Sequence, residues 1–260
     1  MKFPEEEIVK MYLQGFDTVY IGKLYNTYNT SIRRVLLRHN VPLRGSREVQ
    51  TRVSNLVFQS PVLSREESYW LGMLVTDGCI SNDYLSLSLQ EQDLYQLEKF
   101  AKFLGDRVKV NKQFNKKYKI FEYQVKAKDF NLIPKIRLLA NFYNKSIDLQ
   151  LYVPLNYDIL RGIIDGDGSI GTYQNKTRVQ ICSASSVFIN QLKDFLKQEE
   201  IDFCLNDDTR EFRKNTLYVI SIHKQKQILS LYHKLYNDTD LYLNRKKLKF
   251  KHILEKYKVN

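Results

Sequence analysis

Cysteine is scarce in this chain. Cys79, Cys182 and Cys204 are the only three in 260 residues; they lie far apart and form neither a disulfide framework nor a zinc-ligand spacing. The four histidines complete no ligand set. A stapled scaffold is thereby excluded, and a reducing compartment is expected. Long apolar runs are also missing. No stretch of about 18 apolar residues and no signal-peptide pattern occurs, so neither a helical membrane span nor secretion is expected. Acids are the third shortage: 29 Asp and Glu stand against 41 Lys and Arg, for a net charge of +12. An excess of that size favours an acidic partner, most simply a nucleic acid.

What the chain does have is apolar material for a core, 43% of its residues, and a length that fits one large domain with a small one. Its most ordered stretch is Leu160-Arg161-Gly162-Ile163-Ile164-Asp165-Gly166-Asp167-Gly168. Ninety residues earlier stands a looser copy, Trp70-Leu71-Gly72-Met73-Leu74-Val75-Thr76-Asp77-Gly78. Each reads as an apolar helix ending in a carboxylate and a glycine, the usual helix stop. Small residues recur four apart in both, Gly72 with Thr76 and Gly162 with Gly166, which puts them on one helix face. Such a face lets two backbones approach closely. Packed on those faces, the helices deliver Asp77 and Asp167 side by side. Two adjacent carboxylates repel unless a cation joins them, and a divalent metal is the obvious one. A helix C-terminus also disfavours anions, so an acid present there in both copies calls for an explanation.

The first 45 residues carry three short helical patterns: Glu5 to Gln14 around Ile8, Met11 and Tyr12; Thr18 to Tyr25 around Ile21 and Leu24; and about Thr30 to His39 around Ile32, Val35 and Leu36. Gly15 closes the first, a turn at Asn26 leads to the third, and Asn40-Val41-Pro42 ends it. Three helices with a tight turn before the last describe a helix-turn-helix. The run Ile21-Gly22-Lys23-Leu24-Tyr25-Asn26-Thr27-Tyr28-Asn29-Thr30-Ser31-Ile32-Arg33-Arg34-Val35-Leu36 resembles the small helix-turn-helix of resolvases and related phage proteins. Gly22 stands where the helices touch, and Asn26 at a turn that tolerates left-handed backbone. On that resemblance the third helix enters a major groove, with Asn29, Ser31, Arg33 and Arg34 as candidate base readers. A protein-binding knob is the alternative; Arg33, Arg34, Arg38 and Arg44 favour DNA. Residues 46–63, with Arg47, Arg52 and several serines, read as a linker that tracks phosphates.

Ser64-Arg65-Glu66-Glu67 has the capping-box pattern and starts the first motif helix. After Gly78, Leu85, Leu87 and Leu89 alternate with Ser86, Ser88 and Gln90 as a half-buried strand, and Leu97, Phe100, Phe103 and Leu104 mark an amphipathic helix. The order recurs after Gly168: Val179 and Ile181 answer Leu87 and Leu89, while Ile189, Leu192, Phe195 and Leu196 answer the helix. That offset is 92 residues against 90 at the motifs, which predicts a two-residue insertion in the second copy's first hairpin. In the first copy Arg107, Lys109, Asn111 and Gln113 form the polar row of a further strand, and Glu122, Gln124 and Lys126 that of another. Eight Lys or Arg and one acid fall between Arg107 and Lys128, so one sheet face is expected to be strongly basic. Arg178, Gln180 and Cys182 form a polar row in the second copy, with Arg210, Arg213 and Lys214 edging a later strand. A solvated face explains any one strand; two half-buried sheets behind two motif helices point to a saddle.

The double motif resembles that of the LAGLIDADG homing endonucleases in their single-chain, two-motif form. The second copy matches closely; the first departs at Val75, where the family often carries an acid, and at Trp70. The resemblance implies an α+β fold in which tandem pseudo-twofold αββαββα repeats, residues 64–152 and 153–260, form a DNA-binding saddle behind an all-α helix-turn-helix domain, residues 1–45. It implies that Asp77 and Asp167 are catalytic metal ligands with Mg²⁺ as cofactor. The saddle residues Arg107, Lys109, Asn111, Gln113, Gln124, Lys126, Arg178 and Gln180 would then read a long double-stranded site in the major groove. Cutting across the minor groove would leave short 3′ overhangs. Lys145 and Lys246 stand where the family places cations that steady developing charge. A phosphate-binding or solvated helix is the alternative for Lys246, because residues 241–260 hold seven Lys or Arg against one acid. Glu91 and Ser183, at the ends of equivalent strands, are weaker candidates near the metals. The expected protein is a monomer, inside a bacterial or phage-infected cell or an organelle. Two rivals use the same fold: a non-catalytic transcriptional regulator, a class in which the acids are lost, and a maturase that binds intron RNA. Both acids are present here. A start at Met1 without Cys or Ser argues against an intact intein.

Overall fold

The computed structural model describes residues 4–14, 16–43, 53–115, 120–173, 176–209 and 214–258. Three helices come first: α1 (Glu5–Leu13), α2 (Thr18–Leu24) and α3 (Asn29–Arg38). They close on their own small core of Ile8, Tyr12, Ile21, Ile32, Val35 and Leu36. Asp17 caps α2, its carboxylate accepting the backbone N–H groups of Val19 and Tyr20 at 3.0 and 2.7 Å. Asn26 takes the left-handed backbone at the turn, φ 49°. A β-carbon at Gly22 would lie 2.8 Å from the Thr27 carbonyl oxygen, so the turn folds onto a residue with no side chain. Gly15, Arg44, Arg47 and Arg52 lie outside the described residues.

The rest is two copies of one unit. The first holds α4 (Arg65–Thr76), β1 (Gly78–Ile80), β2 (Tyr84–Leu89), α5 (Leu94–Leu104), β3 (Val110–Asn115) and β4 (Ile120–Lys128), then short α6 (Leu132–Arg137) and α7 (Lys145–Asp148). The second holds α8 (Tyr157–Gly166), β5 (Ser169–Tyr173), β6 (Lys176–Ser183), α9 (Ser186–Gln198), β7 (Cys204–Asp208) and β8 (Leu217–Ile222), then α10 (Gln225–Tyr236) and α11 (Asn244–Lys258). Both sheets are antiparallel with the same order, β1-β2-β4-β3 and β5-β6-β8-β7. This is the expected α+β architecture. Leu85, Leu87, Val125 and Ala127 in one sheet, and Val179, Ile181, Ile220 and Ile222 in the other, face a single core that spans both units. α4 is buried on every side from Ser68 to Val75, as a helix apolar all round must be. Its start is fixed by the Ser64–Glu67 capping box, and that of α8 by Asn156, which accepts the Ile159 N–H at 2.9 Å.

Three sequence readings change. From Val53 onward the linker does not run free: Val53, Val57 and Phe58 are buried in the main core, and Asn55 donates to the carbonyls of Lys102 and Phe103. The hairpins differ by more than two residues. Cys79 pairs with Ser86, seven residues on, whereas Ser169 pairs with Gln180, eleven on; the second hairpin is four longer. The first copy recovers two of these with the 3₁₀ turn Glu91–Asp93 before α5. Last, β3 begins at Val110, so Arg107 is not part of its polar row. Gly105 turns the chain there at φ 133°, and Arg107 points to Asp17 of the N-terminal helices, 3.8 Å away.

Candidate active site at the ends of the motif helices

Helices α4 and α8 touch through glycine. A β-carbon on Gly72 would lie 2.3 Å from the Ile159 carbonyl oxygen and 2.9 Å from the Gly162 α-carbon; one on Gly162 would lie 2.3 Å from the Tyr69 carbonyl oxygen. One turn further, a β-carbon on Gly166 would lie 2.1 Å from Thr76 Oγ1 and 3.1 Å from an Asp77 carboxylate oxygen. The close crossing therefore continues to the helix ends, and Asp77 reaches the backbone next to Asp167. Gly78 and Gly168 serve a steric purpose rather than a left-handed stop, since neither has a positive φ. A side chain on either would run into the preceding turn, 2.5 Å from the Leu74 carbonyl oxygen and 2.6 Å from that of Ile164.

The two aspartates are the C-caps of their helices. Burial first, and then the neighbouring Asp167 charge, push the Asp77 carboxyl up to about 6; burial raises Asp167 as well. This is the electrostatic signature of a cation-seeking pair. Two lysines answer it at equivalent places. Lys145 Nζ donates to the carbonyls of Thr76 and Gly78, and Lys246 Nζ to those of Gly168 and, at 3.5 Å, Gly166. Each ammonium thus sits at the C-terminal end of one motif helix, on its last carbonyl and one just beyond it, where the helix dipole welcomes a cation. Lys246 is only 5% exposed, which removes the solvated-helix alternative. Burial lowers both lysines, and with Arg245 adjacent it brings Lys246 to about 8. A cleft of about 260 Å³ opens beside Asp167, lined also by Val75, Thr76, Lys145, Cys182 and Ser183 among others. Glu91 accepts the Tyr123 hydroxyl at 2.9 Å. A larger cavity of about 860 Å³ lies at the opposite end of α4, around Ser64, Arg65, Lys102 and Asp240.

Among the described residues no cluster of three or more His, Cys, Asp and Glu could enclose a metal. Two carboxylates without a cage suit a hard cation such as Mg²⁺, which keeps several waters and shares its remaining positions with phosphate oxygens. They do not suit a structural zinc, which wants four protein ligands, mostly nitrogens and sulfurs, in a closed tetrahedron.

The polar sheet faces flank this centre. On the first, Gln124 lies between Ser88 and Asn111 in register and donates to Ser88 Oγ at 3.0 Å. Lys126 lies opposite Ser86, its ammonium 3.8 Å from the Tyr84 ring centre, and Lys109 is exposed just before β3. Gln113 pairs with Glu122 in register; its side chain lies outside the described residues. On the second face Arg178 pairs with Gly171, and Gln180 donates to Ser221 Oγ at 2.8 Å. Arg210 and Arg213 fall outside the described residues. In the N-terminal helices Asn29, Arg33 and Arg34 are exposed, Ser31 is half-buried, and Arg38 is tied to Glu5 at 2.7 Å. Tyr28, 81% exposed at the start of α3, escaped the sequence reading.

So did a buried network behind the acids. Asp165 accepts the hydroxyls of Tyr69 and Tyr236 and the N–H of Leu243 at 3.0, 2.8 and 2.7 Å. Burial outweighs these bonds and holds its carboxyl near 6. Arg161, equally buried, donates to the carbonyls of Leu241 and Leu235 and pairs with Asp158 at 2.7 Å. The signal was present: three charges, Asp158, Arg161 and Asp165, in an otherwise apolar helix.

Twin αββαββ units joined at glycine-faced helices, with a carboxylate at the end of each, define the LAGLIDADG class of fold. Residues 157–236, from α8 to the end of α10, match the model of the LAGLIDADG-like domain family. Among solved structures, the chain is similar to the homing endonuclease I-WcaI bound to its DNA recognition sequence, at 13% identity and TM-score 0.51 over 76% of this chain and 89% of that one. It is also similar to I-DmoI in complex with DNA and Ca (12% identity, TM-score 0.46, 71% and 96% covered) and to the N-terminal LAGLIDADG domain of DUF199/WhiA (17%, 0.42, 71% and 90%). A comparison with curated proteins gave no match.

Proposed function

We propose that this chain is a site-specific, metal-dependent double-strand DNA endonuclease of the homing type. The observation that carries the reading is the meeting of Asp77 and Asp167 at the ends of two helices pressed together at Gly72 and Gly162, between two polar sheet faces. The sheets bind and orient the duplex, using lysine and arginine for phosphates and side-chain amides for base edges. Asp77 and Asp167 would hold Mg²⁺, which when bound would supply charge neutralisation at the attacked phosphate and an activated water. Lys145 and Lys246 fix the helix ends on which the acids stand and keep positive charge near the leaving oxygen. The retained acid pair favours a nuclease over a regulator.

The test is incubation of supercoiled DNA carrying the native locus with the full chain and Mg²⁺. Linear product with short 3′ overhangs is expected, and Asp77→Asn or Asp167→Asn should remove it while DNA binding persists. Binding without cutting by the unaltered chain would favour the regulator. Intron-RNA binding that survives both substitutions, with no DNA cleavage, would favour the maturase.

A further inference from the structure

The two halves of the saddle are unequal. In each sheet the first strand leaves its motif helix directly, so β1 and β5 lie beside the acids, and β3 and β7 are outermost. Three strand spacings of about 4.8 Å put those outer strands about 14 Å further out. On the first side the approach to β3 carries the exposed Lys109. On the second, β7 ends in Asp207 and Asp208.

The first side also carries the helix-turn-helix. Arg107, between α5 and β3, is 13% exposed and lies 3.8 Å from Asp17. Its guanidinium is 5.6 Å from the Phe16 ring centre, and Phe16 in turn stacks on Tyr20 at 5.1 Å. Asp17 is simultaneously the N-cap of α2. One arginine at the outer edge of the first sheet thus grips the residue that starts α2, the helix against which α3 packs. α3 packs on α2 and leaves Tyr28, Asn29, Arg33 and Arg34 exposed.

We infer that the DNA site is lopsided: recognition extends further from the cut on the first repeat's flank than on the second's, and Arg107 is the positioning residue that holds the extension in place. This deepens, and rests on, the DNA-binding part of the reading above. A ten-residue helix is about 15 Å long, so the extension is about four base pairs at 3.4 Å each. Tethering α2 and α3 through Arg107 raises the effective concentration of α3 at the outer flank.

The test uses the full chain and a duplex pool with a long randomised segment, selected for binding without added metal, followed by hydroxyl-radical footprinting of a selected duplex. Protection and base preference should reach about four base pairs further on one side. Trimming that flank should weaken the unaltered chain at least about tenfold. Arg107→Ala should erase the outer protection, bind full and trimmed duplexes alike, and leave the inner protection intact. Arg33→Ala should flatten base preference at the outer positions alone. A symmetric footprint, or an outer flank unchanged in Arg107→Ala, overturns the inference. Failure to cut the selected duplex in Mg²⁺ counts against the nuclease reading only, because the footprint is scored without cleavage.

Discussion

At the residue scale, the acid pair is a cost that the fold carries until a cation arrives. Asp77 titrates near 6 in the folded chain against an ordinary 3.8. Between those values the folded state binds more protons than the unfolded one, so stability falls as pH rises from about 4 to about 6 and stays lower above. Urea unfolding of the metal-free chain should show this fall. Asp77→Asn, neutral at every pH, should shrink it and raise the midpoint above pH 6, with Asp165 and Asp167, shifted the same way, supplying the remainder. A variant with an unaltered slope would acquit Asp77. Asp77 and Asp167 were legible in the sequence because the motif repeats. The carboxyl of Asp165 was visible but not its use, because its three donors come from α4, α10 and the residue before α11.

At the element scale, the decisive contact is α4 against α8. A methyl group on Gly162 would meet backbone on the partner helix, the Tyr69 carbonyl oxygen at 2.3 Å and the Met73 nitrogen at 2.8 Å, and backbone cannot swing aside as a side chain can. Gly162→Ala should therefore lower stability by about 3 kcal/mol or more, read as a drop in denaturant midpoint with unchanged slope. A loss under about 1 kcal/mol would mean that the helices separate easily. Capping residues, strand alternation and the glycine faces were all readable, since each is set by neighbours within one or two turns. The departures of the first motif become intelligible only in the packed pair. Trp70 fills the space against Phe100 at 4.8 Å, and Val75 closes the core where the second copy buries Asp165.

At the scale of the whole molecule, charge and shape divide the labour. On the proposed reading the net +12 would draw in a duplex, and the two sheets with the N-terminal helices would decide where it rests. Phosphate contacts release counterions, so affinity measured without metal should fall at least about a thousandfold between about 50 and about 200 mM salt. A salt-insensitive affinity would deny the sheets their role. Among the described residues no helix is long and apolar enough to cross a membrane, in keeping with the missing apolar runs.

The sequence by itself determined the repeat, the helix ends and the acids placed on them, because helix periodicity, caps and alternation are local properties of the chain. Only the tertiary structure decided what Arg107, Arg161 and Asp165 do, and that Lys145 and Lys246 hold the motif-helix carbonyls. Those partners lie some 70 to 90 residues away in sequence, and no periodicity records which distant backbone group a long charged side chain will meet.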